Sequence, residues 1–449
     1  MKYVITFLTI CLFTQLAYAQ NRDSFMGEPT NSVNGGVGIT FIGDTAYTTF
    51  TIAPEFAFGK FGVGLNIELL FNNNNGFKFR KEGWDKGAGA FRMIRYLRWG
   101  LKGDPLYTRI GSLQSSTLGN GFIMGYYSNE SSYDRRKIGL ELDMDFGLVG
   151  MESMTSNLGN VEIVGGRVYV RPMHSTEIPV LKNLEIGGTY VTDINPDNKN
   201  DTHDGVYEWG ADITIPIIKM EVFNWRIYSD YAKINNYGDG KAVGTLISIP
   251  NIAGAFGIYA KLEKRFLGGQ FLPNYFNTLY EIDRKVKDIK FYFPDKNHDG
   301  YPDNLPDSFI GVNEISKAGY LSHLEKTEGI FGELAGQILG KVRLAGSYQD
   351  QNNTVGGGIL HLEAKSNDLV PGVRLMWTYD KIGIETFEDA RTLDSRSVAV
   401  GEIGYKAYPF LYVTLQYRWY WVPTTDEFGN VSYKGEERFQ PGLSFSMEF

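Results

Sequence analysis

The chain has 449 residues, including 53 Gly, 28 Tyr, 29 Phe and one Cys, and its 44 basic and 52 acidic side chains give a net charge of −8. The ample apolar and aromatic content excludes a disordered chain, and the lack of a Gly-X-Y period excludes a collagen-like one. The acidic balance argues against nucleic-acid binding, which needs a basic surface. After residue 20 no run approaches the ~18 apolar residues that a membrane-spanning helix needs.

The first part of the chain, residues 1–19, has the features of a secretory signal peptide. Lys2 precedes an apolar stretch, Val4–Leu16, which ends in the small-x-small sequence Ala17-Tyr18-Ala19. A short membrane anchor is the alternative, but the stretch is too short to span well. Because Cys11 lies inside this segment, we expect the mature chain to contain no cysteine and no disulfide.

Period-two alternation from residue 35 to residue 449 predicts an all-β chain. Between Phe439 and Phe449, apolar residues alternate with polar or small ones, so one strand face is apolar and the other polar. This pattern recurs in about twenty candidate strands, most of them near the ~9–11 residues of a tilted membrane strand. We therefore predict an antiparallel transmembrane β-barrel of about 16–20 strands over residues 35–449. Residues 20–34 would be a short periplasmic segment before it.

Alternation alone also fits a soluble β-sandwich with one wet face. Three features favour lipid. Trp209 and Trp225 lie near the ends of apolar faces, as interfacial aromatics do. The opposite faces carry repeated charge, which suits a watery interior. Short and long connections alternate along most of the chain, and an even number of strands puts both termini in the periplasm.

The export signal, the period-two strands and the aromatic final residue resemble bacterial outer-membrane β-barrels. Arg95-Tyr96 and Gly119-Asn120-Gly121 are most similar to barrels of the Bacteroidota group. The resemblance implies export to the outer membrane of a Gram-negative bacterium, with lipid and the barrel-assembly machinery as partners. It also implies that this machinery reads the last strand through Phe439, Leu443, Phe445, Met447 and Phe449. We expect no TonB-type plug domain, since only about fifteen residues precede the first strand.

Charged residues on the predicted inward faces indicate a porin-like channel for small solutes. A barrel of ~16 or more strands encloses water, and charged side chains around a pore select ions. The same charges could instead pair with one another and brace a closed lumen. We expect Gln114–Asp134 to be a surface loop, with an inward-folded constriction as the alternative. The predicted pore-lining residues are Glu141, Asp143, Asp145, Arg167, Arg171, Glu208, Asp212, Arg226, Asp230, Arg374, Asp380 and Arg418.

The longest connection, residues 268–328, contains one motif with metal chemistry. Residues 295–303 read D-x-N-x-D-G-x-x-D, a spacing that wraps oxygen ligands around Ca²⁺. The motif resembles thrombospondin type-3 and EF-hand-like calcium loops, but Pro306 stands where an EF-hand has its bidentate Glu. We expect weak, structural calcium binding, with a solvated turn as the alternative. The ligands would be Asp295, Asn297, Asp299, Tyr301 and Asp303. Within the same connection, Asn277–Lys290 predicts a short helix.

Two other functions compete with the channel. The barrel could anchor the 268–328 loop as a surface binding site or as a dock for a secretion or assembly partner. It could also be an outer-membrane hydrolase, but the five histidines form no H-E-x-x-H array and no G-x-S-x-G motif occurs. We therefore expect no enzyme activity.

We predict that calcium closes the channel if the 268–328 loop acts as a gate. Residues 20–449, refolded into a planar bilayer, should give stable conductance steps that disappear when calcium is added. Asp299→Ala should abolish this response because it removes a central ligand. A folded and inserted but electrically silent barrel would contradict the open channel.

Overall fold

The computed structural model describes residues 31–42, 45–72, 76–81, 84, 93–129, 137–196, 205–220, 222–252, 255–278, 280–284, 287–289, 305, 307, 310–351, 358–384, 386–393, 397–425 and 431–448. Most of these residues form strands. The helices among them are short: α1 (Pro179–Lys182), α2 (Tyr280–Asp283), α3 (Lys317–Leu321) and α4 (Phe387–Arg391). In the part of the chain covered by these ranges, no helix is long and apolar enough to cross a membrane.

The strands follow one another with few interruptions along the chain. They are β1 (Ser32–Ile42), β2 (Thr45–Phe58), β3 (Phe61–Leu65), β4 (Ile67–Asn72), β5 (Lys78–Phe79), β6 (Ile94–Trp99), β7 (Leu106–Gly111), β8 (Gly139–Asp145), β9 (Val149–Thr155), β10 (Ile163–Val170), β11 (Glu185–Asp193), β12 (Val206–Lys219), β13 (Asn224–Ile234), β14 (Asp239–Ile252), β15 (Phe256–Leu267), β16 (Lys287–Asp288), β17 (Glu314–Ile315), β18 (Thr327–Ile338), β19 (Val342–Gln351), β20 (Gly358–Asn367), β21 (Val373–Ile384), β22 (Ser397–Tyr408), β23 (Leu411–Thr425) and β24 (Val431–Glu448).

The main sheet closes on itself as an antiparallel barrel. Consecutive strands pair with each other along most of the chain, β15 pairs with β18 across the long insertion, and β1 pairs with β24. β3 and β4 lie end to end against β2, and β5 and β6 lie beside them, so the described strands occupy twenty positions around the barrel. The predicted antiparallel barrel is therefore confirmed, at the upper end of the predicted range of strand numbers. Its first strand begins at Ser32, slightly before the predicted residue 35.

The two ends of the barrel differ in the length of their connections. One end carries the start of β1, the end of β24 and connections such as 59–60, 146–148, 339–341 and 409–410. We call it the turn end, although one of its connections, residues 171–184, is longer and contains α1. The other end, the loop end, carries 112–138, 194–205, 268–326 and 385–396. The predicted rhythm of short and long connections is therefore present.

The seam between the first and the last strand is short. Pairs run only from Ser32 opposite Glu448 to Val37 opposite Leu443, although both strands extend further. Pro441 lies just beyond the last pair, and proline has no N–H to donate to a ladder. Of the predicted assembly-signal residues, Phe439, Leu443 and Met447 are exposed on the outer face. Phe445 pairs with Gly35, and Phe449 lies outside the described residues.

The distribution of polar residues is inverted relative to that of a soluble barrel. Along β10, Arg167 is 2 % exposed whereas Val164, Val168 and Val170 are exposed. Successive strand residues point to opposite faces, so polar groups face inward and aliphatic groups outward. Exposed leucines and isoleucines recur on the outer faces of β15, β18 and β21. Burial of such a face in lipid would be favourable by ~25 cal/mol per Å² of apolar surface.

The insertion between β15 and β18 differs from its prediction. Within the described residues of Asn277–Lys290, the only α-helix is α2, and β16 in the same stretch pairs with β17. Pairing with a distant segment here overrides the local apolar spacing. A tertiary contact of this kind cannot be read from helical periodicity.

We predict that a charge on the outer face destabilises the barrel in a depth-dependent way. Leu334→Arg, near the middle of β18, should lower the free energy of unfolding from lipid vesicles by ~2–4 kcal/mol. Ile338→Arg, at the turn end of the same face, is the matched control and should cost only ~0–1 kcal/mol. Urea titrations followed by tryptophan fluorescence would measure both. Equal, near-zero effects would contradict contact of this face with lipid.

Candidate functional site

The predicted inward-facing charges lie on one continuous inner face of the barrel. The cross-strand pairs connect them: Asp143 faces Glu152, Glu152 faces Arg167, and Asp212 faces Asp230. Arg418 is placed on this face by its register opposite Val400, but its side chain is not described. The other predicted residues are buried or half-buried there: Glu141, Asp143, Asp145, Arg167, Arg171, Glu208, Asp212, Arg226, Asp230, Arg374 and Asp380.

Several of these charges pair with one another. Arg167 donates two hydrogen bonds to Asp212, at 2.8 and 2.6 Å, and one to Glu152 at 3.2 Å. Arg171 does the same with Asp145, at 2.7 and 2.8 Å. Such two-point contacts fix both partners in orientation. The sequence left open whether the inward-facing charges pair with one another. For these residues, they do.

A loop between β7 and β8 folds into the barrel instead of lying on its surface. We call residues 112–129 the interior loop. Leu113, Phe122, Met124 and Tyr127 are at most 2 % exposed. The contacts of the loop reach β9 through β18, which is about half of the wall. The expectation of a surface loop for Gln114–Asp134 was therefore wrong for the described part, and residues 130–136 lie outside it.

Polar contacts hold the interior loop against the wall. The Asn120 amide donates to Thr214 and to Asp230, each at 3.2 Å. In return, the Lys261 ammonium donates to the Asn120 carbonyl at 2.7 Å. The Gly119 N–H donates to the Glu152 carboxylate, also at 2.7 Å. These bonds converge on the tip of the loop and attach it to four different strands.

A second anchor lies further along the loop. The Tyr126 hydroxyl donates to Glu333 on β18 at 2.5 Å. Burial and the nearby Glu333 carboxylate raise the pKa of Tyr126 well above its usual range. The phenol therefore remains protonated and can donate this bond at any physiological pH.

Glycines on the inner face leave room for the interior segments. A Cβ at Gly139 would lie 2.6 Å from the Leu113 side chain. One at Gly240 would lie 2.4 Å from the ring of Phe271. Both positions demand a residue without a side chain because another part of the chain approaches there.

The insertion contributes a second interior segment, which packs on the loop. We call residues 271–278 and 280–284 the inner segment. The Asn274 N–H donates to the Phe122 carbonyl at 2.6 Å, and the Phe276 N–H donates to the Ile123 carbonyl at 3.2 Å. The rings of Phe122 and Phe271 are 5.6 Å apart. The loop and the segment thus share one buried apolar cluster inside the barrel.

An ionic cluster ties the inner segment to the loop end of the wall. Arg284 contacts Asp193 at 3.0 Å, Glu162 at closer range and Glu281 at 3.4 Å. Lys137 contacts Glu162 and Glu281, each at 2.7 Å. Removal of Arg284 would leave the buried Asp193 carboxylate without a counter-charge, which is strongly destabilising.

The opposite half of the wall remains accessible to water. Glu55, Arg95, Arg374, Asp380 and Glu402 face the lumen, and their side chains are between 19 % and 28 % exposed. They carry both signs of charge, and some pair: Arg374 with Glu402 at 2.8 Å, and Asp380 with His361 at 2.7 Å. This half of the wall therefore presents charged side chains of both signs that are partly accessible to water.

One wall carboxylate is buried without hydrogen bonds. Glu208 is completely buried, and neither of its carboxylate oxygens has a hydrogen-bond partner among the described residues. Lys317 of α3 is its charged neighbour, and the Lys317 ammonium lies 5.1 Å from the rings of both Tyr275 and Tyr280. The electrostatic attraction between these two opposite charges favours the packing of the insertion against the wall.

Sequence reasoning missed part of the inner face. Lys261, Glu263 and Arg265 alternate on β15, and Glu333 follows on β18; all are buried. Their alternation could have identified them, but the outward-facing Lys264 between Glu263 and Arg265 interrupts the apolar face. Lys264 pairs with Glu328 at 3.0 Å near the loop end.

The described residues contain no group of three or more His, Cys, Asp or Glu side chains that could hold a metal ion. The predicted calcium ligands, residues 295–303, lie outside the described part of the chain. Calcium binding there remains a prediction.

We predict that cysteines placed on the interior loop and on the inner wall cross-link. Residues 20–449 contain no cysteine, so Asn120→Cys with Thr214→Cys should form a disulfide on oxidation, detected as a mobility shift without reductant. Asn120→Cys with Ile213→Cys is the matched control, because Ile213 is exposed on the outer face. A cross-link in the control alone, or in neither, would contradict an interior loop.

The solved structures similar to this chain are β-barrels, and their sequence identity to it is low. No protein-family model matches the chain, and no curated protein matches it. Among solved structures, OccK11 (OpdR) of Pseudomonas aeruginosa is 11 % identical over 95 % of this chain and 98 % of its own, with a TM-score of 0.35. The ferric enterobactin receptor PfeA of the same organism is 10 % identical over 94 % and 82 %, with a TM-score of 0.39. Wzi of Escherichia coli, described as a carbohydrate-binding β-barrel involved in capsule assembly, is 12 % identical over 100 % and 89 %, with a TM-score of 0.34.

Proposed function

We propose that this protein is an outer-membrane channel for small hydrophilic solutes. The observation that carries the proposal is the interior loop, held by hydrogen bonds across half of the lumen beside a water-accessible charged wall. A twenty-position barrel is too wide for its wall side chains to fill. An inward loop narrows such a barrel to a passage without closing it.

The outer surface supports a membrane location. The outward faces of β10, β15, β18 and β21 are aliphatic or aromatic over most of their length. The exposed ion pair Lys264–Glu328 lies at the loop end, where an apolar band would give way to polar headgroups. Closure of the sheet satisfies the backbone hydrogen bonds that lipid cannot.

The passage would select solutes by size and charge. The anchors of Asn120 and Tyr126 hold the constriction at a fixed distance from the opposite wall. On that wall, Arg374, Glu402 and Asp380 offer both signs of charge to a passing solute. Paired charges guide a polar solute by exchanging hydrogen bonds with it, and they avoid the strong repulsion of a single sign.

We predict that a modification inside the passage reduces conductance. Arg374→Cys, labelled with a bulky, positively charged thiol reagent, should give smaller single-channel steps because the label occupies the lumen. Leu375→Cys is the matched control: its side chain faces outward and is 44 % exposed, so labelling there should leave the steps unchanged. Equal responses of the two variants would contradict a passage along β21, and absence of steps before labelling would contradict a channel.

A second function is favoured by the packing of the inner segment. Its aromatic cluster and the Arg284 ion pairs attach the insertion firmly inside the loop end. A barrel that presents residues 268–328 to a binding, secretion or assembly partner would need such an attachment. An inserted, folded barrel without conductance would support this alternative.

A further inference from the structure

Arg98, an arginine of the inner face, takes no part in the pairing of charges described above. Arg98 on β6 is 6 % exposed. Its described hydrogen bond runs from Nη1 to the Gly100 carbonyl, and its Nε is buried without a partner. Arg167, Arg171, Arg284 and Arg374 each contact at least one carboxylate. Among the described residues, no carboxylate forms an ion pair with Arg98.

A second arginine lies directly beside it. Arg109 on β7 is the cross-strand partner of Arg98, and it is also 6 % exposed. Like charges at directly opposed positions destabilise a sheet. Arg109 stacks on the ring of Tyr96, with its guanidinium 4.3 Å from the ring centroid, and faces Glu141 on its other side. The Glu141 carboxylate accepts a hydrogen bond from Tyr107 and pairs with Lys102 at 3.7 Å, and it forms no ion pair with Arg98.

A carboxylate next to Tyr96, that of Glu55 on β2, is already engaged. Glu55 accepts hydrogen bonds from Arg95 and from the Tyr96 hydroxyl. A buried cation without a counter-charge costs free energy, and structures retain one where a ligand supplies the missing charge. A Cβ at Gly62 would lie 2.8 Å from Nη2 of Arg98, so glycine there keeps the guanidinium free of steric conflict.

We propose that Arg98, with Arg109 beside it, forms a subsite for the oxyanion group of a solute at the turn end of the lumen. The planar guanidinium fork fits a carboxylate or a phosphate through two parallel hydrogen bonds. This inference rests on the proposed channel and narrows its solutes to anions. The subsite lies next to the start of the interior loop, so a solute that has passed the constriction reaches it.

Phosphate block of the channel tests the subsite. Refolded residues 20–449 in a planar bilayer should prefer anions in a KCl gradient, and inorganic phosphate should reduce the chloride current. Arg98→Gln should raise the half-blocking phosphate concentration about tenfold, since one charge-assisted pair is lost. Arg98→Lys keeps the charge but loses the planar guanidinium. Its half-blocking phosphate concentration should lie between those of the unmodified chain and of Arg98→Gln. Lys241→Gln is the matched control, because it removes the same charge from the outer face of β14.

Thermal stability in detergent separates this inference from the channel itself. Phosphate should raise the Tm of the unmodified chain and not that of Arg98→Gln. A silent barrel that phosphate still stabilises would overturn the channel and support the subsite. A conducting barrel that phosphate neither blocks nor stabilises would overturn the subsite and support the channel.

The stability of the variants without phosphate distinguishes a binding role from a structural one. Arg98→Met should keep or raise the Tm, because it removes a buried charge that has no counter-charge among the described residues. Arg167→Met should lower the Tm, because it strands the Asp212 carboxylate. If Arg98→Met lowers the Tm as much as Arg167→Met does, Arg98 is a structural residue and the subsite is overturned.

Discussion

The structure depends on one geometric constraint: a sheet of twenty strand positions that closes must enclose a space which its own side chains cannot fill. Closure satisfies the backbone hydrogen bonds all around the wall. It also divides every strand into an inner and an outer face, so the polar residues gather inside. What remains is a wide interior. In the described part of the chain, the interior loop and the inner segment fill one side of it, and the charged side chains of the other side are partly exposed.

The charges of the inner face serve different purposes on the two sides. On the filled side they are nearly dry, and they act as fixed attachment points: Lys261 for the tip of the loop, Glu333 for Tyr126, and Asp193 for Arg284. On the open side they remain partly exposed to solvent, although a pair such as Arg374 and Glu402 is just as short, at 2.8 Å. A buried pair with good geometry holds position firmly because separating it exposes two unmatched charges.

The strands of the barrel wall could be predicted from the sequence, but the segments that lie inside the barrel could not. Alternation identified the strands, and with them the inward positions of Arg167, Asp212 and Arg374. A period of two can be recognised within one strand, without knowing which strands lie beside it. The interior loop was expected at the surface, since Leu118 and Phe122 show their burial only against Gly165 and Phe271, residues far away in the chain. Likewise, Arg98 has no carboxylate partner among the described residues because the register places Arg109 opposite it. Alternation is a local property, whereas packing across a lumen joins distant parts of the chain.

The short seam between β1 and β24 has a consequence for how the barrel forms. The Ser446 hydroxyl donates to the Asn34 side chain across a separation of 412 residues, so closure brings together almost the whole length of the chain. Contacts between residues so far apart in the chain form slowly, because the entropy cost of closing the loop comes before the stabilisation by the new bonds. Until then β1 and β24 both present free edges, the feature that drives strand-to-strand aggregation. The time for which both edges stay free therefore sets the exposure of this chain to misassembly.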